Sequence, residues 1–205
     1  MLLTSPRGQA SLSTQIARVL AERLRTGPSD TLKIRDLAAG DIPHIDPAYA
    51  FGRMLPQDQQ TPAQTKAVAL ARTLIEELVA ADVTVIAASM INFAPSSALK
   101  AWIDHVVWPG VTMVPTKNGP EGLITGKKVY LVAASGGIYS SGPMADKDML
   151  VPYLKQILGC IGISDIETIR VEAQSFGQEA AAQGVADAMA QVALMIQNLH
   201  AIKLA

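Results

Sequence analysis

The sequence predicts an α/β fold, a doubly wound five-stranded parallel sheet with helices on both faces. Three observations carry that reading. Strand-like and helix-like segments alternate along the chain, two strand-like runs are almost continuously apolar, and polar Pro- or Gly-bearing loops follow the strands. Continuous apolar strands belong to parallel sheets covered on both faces, and alternation on this scale implies right-handed crossovers.

The first strand falls at residues 1–4. That is little for a strand expected at the centre of the sheet, so either it is unusually short or the true start lies upstream. Ile16, Val19, Leu20 and Leu24 then recur at helical spacing. A second strand is predicted over 31–35. Residues 39–61 are rich in Pro, Asp and Gln and hold no sustained period. The next helix is marked by Ala67, Ala71, Leu74, Ile75 and Leu78, and the third strand by 83–88. After a polar loop, 99–104 reads as helix. Residues 110–126, with Pro115 and Asn118-Gly119-Pro120, form a turn-dense insertion of the kind that serves function or interfaces. The fourth strand covers 129–134 and the fifth 167–172. Val185, Met189, Val192, Ile196 and Leu199 mark the last helix. The expectation is one domain over 1–205, without internal repeats.

Composition narrows the function classes. Of 205 residues, 49% are apolar and 17% charged, which supports a sizeable core and argues against disorder. A net charge of -1 gives no electrostatic footprint for nucleic acid or an anionic membrane. No transmembrane span is visible, and residues 1–6 lack the basic start and apolar core of a signal peptide. Cys160 is the only cysteine, so an internal disulfide and a Cys-rich metal site are excluded, and a reducing cytoplasm is expected. His44, His105 and His200 lack metal-ligand spacing and read as surface or packing residues.

Three loops follow strands that should be neighbours. The first, from Thr4 to Gln15, clusters Ser5, Ser11, Ser13 and Thr14 before a helix. Unpaired N–H groups and the positive dipole end would bind a phosphate monoester there, although Ser11 or Ser13 alone also reads as an ordinary N-cap. The loop lacks both Gly-x-Gly-x-x-Gly and Gly-Lys-Ser/Thr, which weighs against dinucleotide and nucleoside-triphosphate folds. The second loop, Ser89-Met90-Ile91-Asn92-Phe93-Ala94-Pro95, can lay N–H groups and an amide along a flat polar ring, which suggests a flavin. In the third, Ala134-Ser135-Gly136-Gly137, paired glycines permit close backbone approach. Carboxyl ends of adjacent parallel strands are where such loops converge on one ligand.

Asn92-Phe93, Pro95, Leu99-Lys100, Asp104 and Gly110-Val111-Thr112 are followed in order by Asn118-Gly119-Pro120-Glu121-Gly122-Leu123, Ser135-Gly136-Gly137 and Leu158-Gly159-Cys160-Ile161-Gly162-Ile163. On these motifs the chain resembles the FMN-dependent NADH:quinone oxidoreductases, or azoreductases, of the flavodoxin-like fold, and the resemblance spans essentially the whole chain. It implies phosphate contacts at Ser5, Ser11 and Ser13 with Leu12 contributing backbone. It also implies a flavin ring between Met90-Ile91-Asn92-Phe93 and Ala134-Ser135-Gly136-Gly137, and a homodimer with active sites at the subunit interface. This chain has Ile91 where relatives commonly have Tyr. Three pocket positions often aromatic or His in the family fall at Pro115, Tyr139 and Cys160, which bears on stacking with flat substrates.

The implied chemistry is two-electron transfer from NADH or NADPH through FMN to a quinone, azo compound or nitroaromatic. No side chain need act as nucleophile, consistent with the absence of Gly-x-Ser-x-Gly. Read from its apolar neighbours, Cys160 is expected to be a buried structural thiol. Trp102 and Trp108, six apart on one expected helix, read as packing residues. The alternatives are a flavodoxin-type electron carrier, for which the net charge is weakly acidic, and a scaffold that has lost the flavin.

Overall fold

The computed structural model describes residues 1–203, and of 200–203 the backbone alone; the His200 side chain lies outside the described residues. In chain order the elements are β1 (Leu2–Leu3), α1 (Leu12–Leu24), β2 (Arg35–Asp36), α2 (Pro47–Gly52), α3 (Pro62–Ala80) and β3 (Val83–Ser89). Then come α4 (Ser97–Val106), β4 (Met113–Thr116), β5 (Gly119–Gly122), β6 (Lys128–Ala134), α5 (Val151–Cys160), β7 (Asp165–Val171) and α6 (Gln178–Lys203). The main sheet is five-stranded and parallel in the order β2-β1-β3-β6-β7. Its order reverses between β1 and β3, which fixes the crevice where such sheets bind ligands.

Burial explains why these segments adopt these structures. In β3, Val85 to Ala88 are buried in succession, as are Val129 to Ala133 in β6, because both faces of the sheet are covered. On one face, Ile16, Ala17, Leu20 and Ala21 of α1 and Ala188 and Val192 of α6 pack on Leu3, Val85, Tyr130 and Ile169. On the other, α3, α4 and α5 contribute Val68, Leu74, Leu99, Trp102, Leu154 and Leu158 against Ile86, Val129 and Leu131. The start of α3 is set by a capping box, in which Thr61 Oγ1 accepts from Gln64 N–H and the Gln64 side chain accepts from Thr61 N–H.

β1 is both short and central, pairing Leu2 with Ile86 on one side and Arg35 on the other. That shortness corrects the second predicted strand. Residues 31–34 run beside the chain start with Met1 and Lys33 hydrogen bonded, yet only Arg35–Asp36 find ladder partners on so short a neighbour. The fifth strand begins at Asp165 and ends at Val171, earlier than expected, because its register is set by Lys128 pairing with Asp165. Residues 110–126 contain the β4–β5 antiparallel hairpin, and the aperiodic 39–61 segment contains α2. Trp108 lies beyond the end of α4 rather than on it; both tryptophans are buried.

Candidate functional site

The site is built where β1, β3 and β6 end. The loop after β1 turns at Ser5, whose hydroxyl accepts from Arg7 N–H at 3.3 Å, and reaches α1 through Ser11. Ser11 occupies the N-cap position with extended backbone, but its side chain makes no cap hydrogen bond. Instead Ser11 Oγ lies 2.9 Å from Ser13 Oγ, and Ser89 Oγ at the end of β3 completes a triangle at 3.3 and 3.1 Å. Ser11 and Ser13 are buried. Ordinary capping is therefore not what these hydroxyls do. They crowd together beside the positive end of α1, and the buried Thr14 Oγ1 on the same first turn has no hydrogen-bond partner. Buried hydroxyls left in this state are uncommon and mark a place for an acceptor-rich group.

Beside this pocket the chain makes a strained turn. Asn92 and Phe93 have φ of 50° and 71°, a left-handed pair rarely tolerated by non-glycine residues, least of all a bulky one. The turn is closed by Ile91 N–H to Ala94 O at 2.9 Å and Ala94 N–H to Ile91 O at 3.1 Å. It leaves Ile91, Asn92 and Phe93 exposed at the crevice while Met90 N–H donates to Ala134 O at 2.8 Å. Strain of this kind persists where the surroundings over-determine it, typically at ligand sites.

The third loop faces that turn. Ser135 Oγ donates to Gly137 O at 2.9 Å, and the Phe93 and Tyr139 rings meet edge-to-face with centroids 6.1 Å apart. A fourth segment, after β7, supports it from behind. Ser135 N–H donates to Val171 O, Ala173 N–H to Gly137 O and Ser175 N–H to Gly136 O. A Cβ at Gly136 would come within 2.6 Å of Ser175 Oγ, so the segment after β7 packs closely on this loop.

The structure thus brings together Ser11, Leu12, Ser13, Met90 to Phe93, Ala134 to Gly137 and Tyr139. Ser5 shares the first loop, although its hydroxyl serves its own turn. Ser89 takes the third corner of the triangle and was missed as a site residue: it opens the second loop, but nothing in the sequence directs its hydroxyl at Ser11 and Ser13. Pro115 and Cys160 lie elsewhere in the chain. Cys160 ends α5, a helix that starts beside Phe93 through Met149 N–H to Phe93 O and runs about 15 Å back towards the amino ends. Pro115 is on the hairpin whose base docks there, with Ile124 N–H donating to Ile161 O. The expectation of a buried thiol is overturned, since Cys160 is half-exposed. The buried stripe of α5 is Val151, Leu154 and Leu158, followed by Ile161, and a residue two beyond Leu158 points roughly 200° round the helix from it.

Fold and crevice together define a flavodoxin-like α/β protein whose serine triangle lies at the start of α1, next to the 90–93 turn and the 134–137 loop. A family model described as "Flavodoxin-like fold" matches residues 1–195. The chain is 50% identical over 97% of its length to FMN-dependent NADH:quinone oxidoreductase 2 of Rhizobium etli, covering 97% of that protein. It is 44% identical over 98% of its length to FMN-dependent NADH:quinone oxidoreductase of Mesorhizobium japonicum, covering 96% of it. Among solved structures it superposes on an azoreductase from Bacillus anthracis with TM-score 0.86 and 26% identity, over 96% of this chain and 97% of that one. The chain belongs to the family of FMN-dependent NADH:quinone oxidoreductases.

Proposed function

We propose that the protein is an FMN-dependent oxidoreductase that passes two electrons from NADH to quinones or azo compounds. The observation that carries this reading is the start of α1 without a side-chain cap, where the hydroxyls of Ser11, Ser13 and Ser89 meet and Thr14 Oγ1 on the same turn is buried without a hydrogen-bond partner. Those groups fit a phosphate monoester, and the adjoining slot between the 90–93 turn and the 134–137 loop fits a planar ring. When bound, FMN would supply hydride acceptance from the nicotinamide and electron delivery to the acceptor.

The chain's part is binding, orientation and exclusion of water. Ser11, Ser13 and Ser89, with the N–H groups of Leu12 and Ser13, would hold the phosphate. Met90 to Phe93 and Ala134 to Gly137 would bracket the ring, and main-chain N–H groups would favour the more negative form. Phe93 and Tyr139 would wall the position where nicotinamide and acceptor bind in turn. The electron-carrier alternative is not favoured, since the relatives carry the names of oxidoreductases.

The homodimer belongs to the same proposal. Pro115 and Cys160 would reach a site only as contributions from a second copy, because within one chain they sit away from Tyr139. A cytoplasmic setting fits the half-exposed lone thiol, and no described helix is long and apolar enough to cross a membrane.

The test is direct. The purified protein should be yellow, or become so with FMN, lose its colour with NADH under anaerobic conditions and regain it with benzoquinone. Protein that stays colourless after incubation with FMN would remove the proposal.

A further inference from the structure

A polar chain joins the two loops that bracket the slot, and it passes through the side chains of Glu172, Arg170 and Asp148. The Glu172 carboxylate accepts from Tyr139 N–H and Ser140 N–H, both at 2.8 Å, and from Ser140 Oγ. Arg170 Nη1 lies 3.3 Å from the same carboxylate, while Arg170 Nη2 donates to Asp148 Oδ2 at 2.7 Å. The other Asp148 oxygen accepts from Leu150 N–H and Val151 N–H, at 2.9 and 3.0 Å, and so holds the start of α5. Met149, between Asp148 and Leu150, donates its N–H to Phe93 O at 3.0 Å. The connection therefore runs without a gap from the Tyr139 loop to the Phe93 turn.

We propose that Arg170 is a positioning residue for the redox reaction, clamping the Phe93 turn to the Ser135–Ser140 loop through Asp148 and Glu172. The inference rests on the flavin reading of the slot. Arg170 is suited to the task because its planar fork reaches two carboxylates at once. Its side chain is 22% exposed, and those of Asp148 and Glu172 are 2% and 14% exposed. Screening by solvent is accordingly weak. Arg170 is also the one cation in this cluster, so removing it leaves two covered carboxylates behind the loop that faces the ring. Both loops should loosen, and negative charge on the bound ring should become costlier.

The decisive comparison is wild type against Arg170→Gln and Arg170→Lys. In FMN-free protein, amide hydrogen exchange at Tyr139 and Ser140 should accelerate in R170Q by about tenfold or more and return towards wild type in R170K. With FMN bound, R170Q should show about a tenfold weaker Kd and a raised KM for benzoquinone. Its midpoint potential should fall, by about 30 mV for each tenfold loss of affinity for reduced relative to oxidised FMN. A purely structural role would weaken both forms equally and leave the potential unmoved. Wild-type exchange rates in R170Q, or an unchanged potential and KM, would overturn the proposal. Should R170Q not fold, Glu172→Gln breaks the same link and carries the exchange and KM readouts. Wild-type protein that fails to bind FMN defeats the flavin reading instead, while the exchange rates still decide whether Arg170 holds the loops.

Discussion

At Ser11, Ser13 and Ser89 three hydroxyl oxygens lie within 3.3 Å of one another. Their polarity is satisfied only pairwise, and an acceptor with several oxygens would satisfy them together. A carboxylate in their midst should therefore be hostile to the ligand. Two unit charges about 5 Å apart repel by about 3 kcal/mol at an effective dielectric of about 20, which is roughly a hundredfold in affinity. Ser13→Asp should lose at least that much FMN affinity, read from the quenching of flavin fluorescence on titration; unchanged retention would rule out the phosphate at this position. The serines before α1 were legible in sequence because they follow a strand and precede a helical period. Ser89 was not, since its hydroxyl matters only once β3 lies against β1. The left-handed pair at Asn92 and Phe93 was equally hidden, because no residue-level preference predicts φ of 71° at a phenylalanine.

Elements with strong apolar periods were read correctly in kind: α1, α3, β3, β6 and α6 turn most of the residues that marked them to the core, although Val83 is exposed and, of the α6 set, Val192 alone is fully buried. The failures share a cause. β2 is trimmed by the shortness of β1, α2 is a six-residue helix held by Asp46 capping and Tyr49 burial, and the β4–β5 hairpin is exposed and lacks an apolar alternation. Such elements depend on tertiary partners more than on local pattern. The hairpin's dependence can be measured at Gly122. A Cβ there would come within 1.9 Å of Gly162 N and 2.2 Å of Ile161 C, both backbone atoms. Gly122→Ala must therefore shift the hairpin off the end of α5, at a cost of about 1–3 kcal/mol or more, seen as a lower urea midpoint with an unchanged slope. The edge strand offers a second measurement. Glu77 on α3 accepts from Arg35 Nε at 2.6 Å and also pairs with Lys33, and these hydrogen bonds, Arg35 first, hold its carboxyl below the ordinary 4.5. Its contribution is complete above that value and disappears as pH falls through the folded value. Glu77→Gln should cost about 1.5–3 kcal/mol at neutral pH and progressively less in acid, so the stability curves of variant and wild type should converge below pH 4.5.

For the molecule as a whole, the exposed apolar side chains decide the expected assembly. Phe51 and Met54, 64% and 78% exposed, stand on a segment that is anything but loose. Tyr49 OH donates to His105 O at 3.2 Å, Trp108 Nε1 donates to Arg53 O at 3.2 Å, and the Arg53 guanidinium sits 5.7 Å from the centre of the Tyr49 ring. Large apolar groups displayed on a rigid platform mark an interface, and the proposed homodimer supplies one. The wild type should accordingly sediment as a dimer at micromolar concentration. Met54→Lys removes about 1.5–3 kcal/mol of apolar burial from each copy of the contact and places a cation in it, so the dimer Kd should rise by at least about a hundredfold. The triangle of serines lies wholly within one chain, whereas Pro115 and Cys160 would serve a site only across the interface. Dissociation should therefore raise the acceptor KM far more than it weakens FMN. A wild type that stays monomeric on sedimentation would leave Pro115 and Cys160 outside the active site, and an M54K protein with unaltered dimerisation would assign this patch to some other contact.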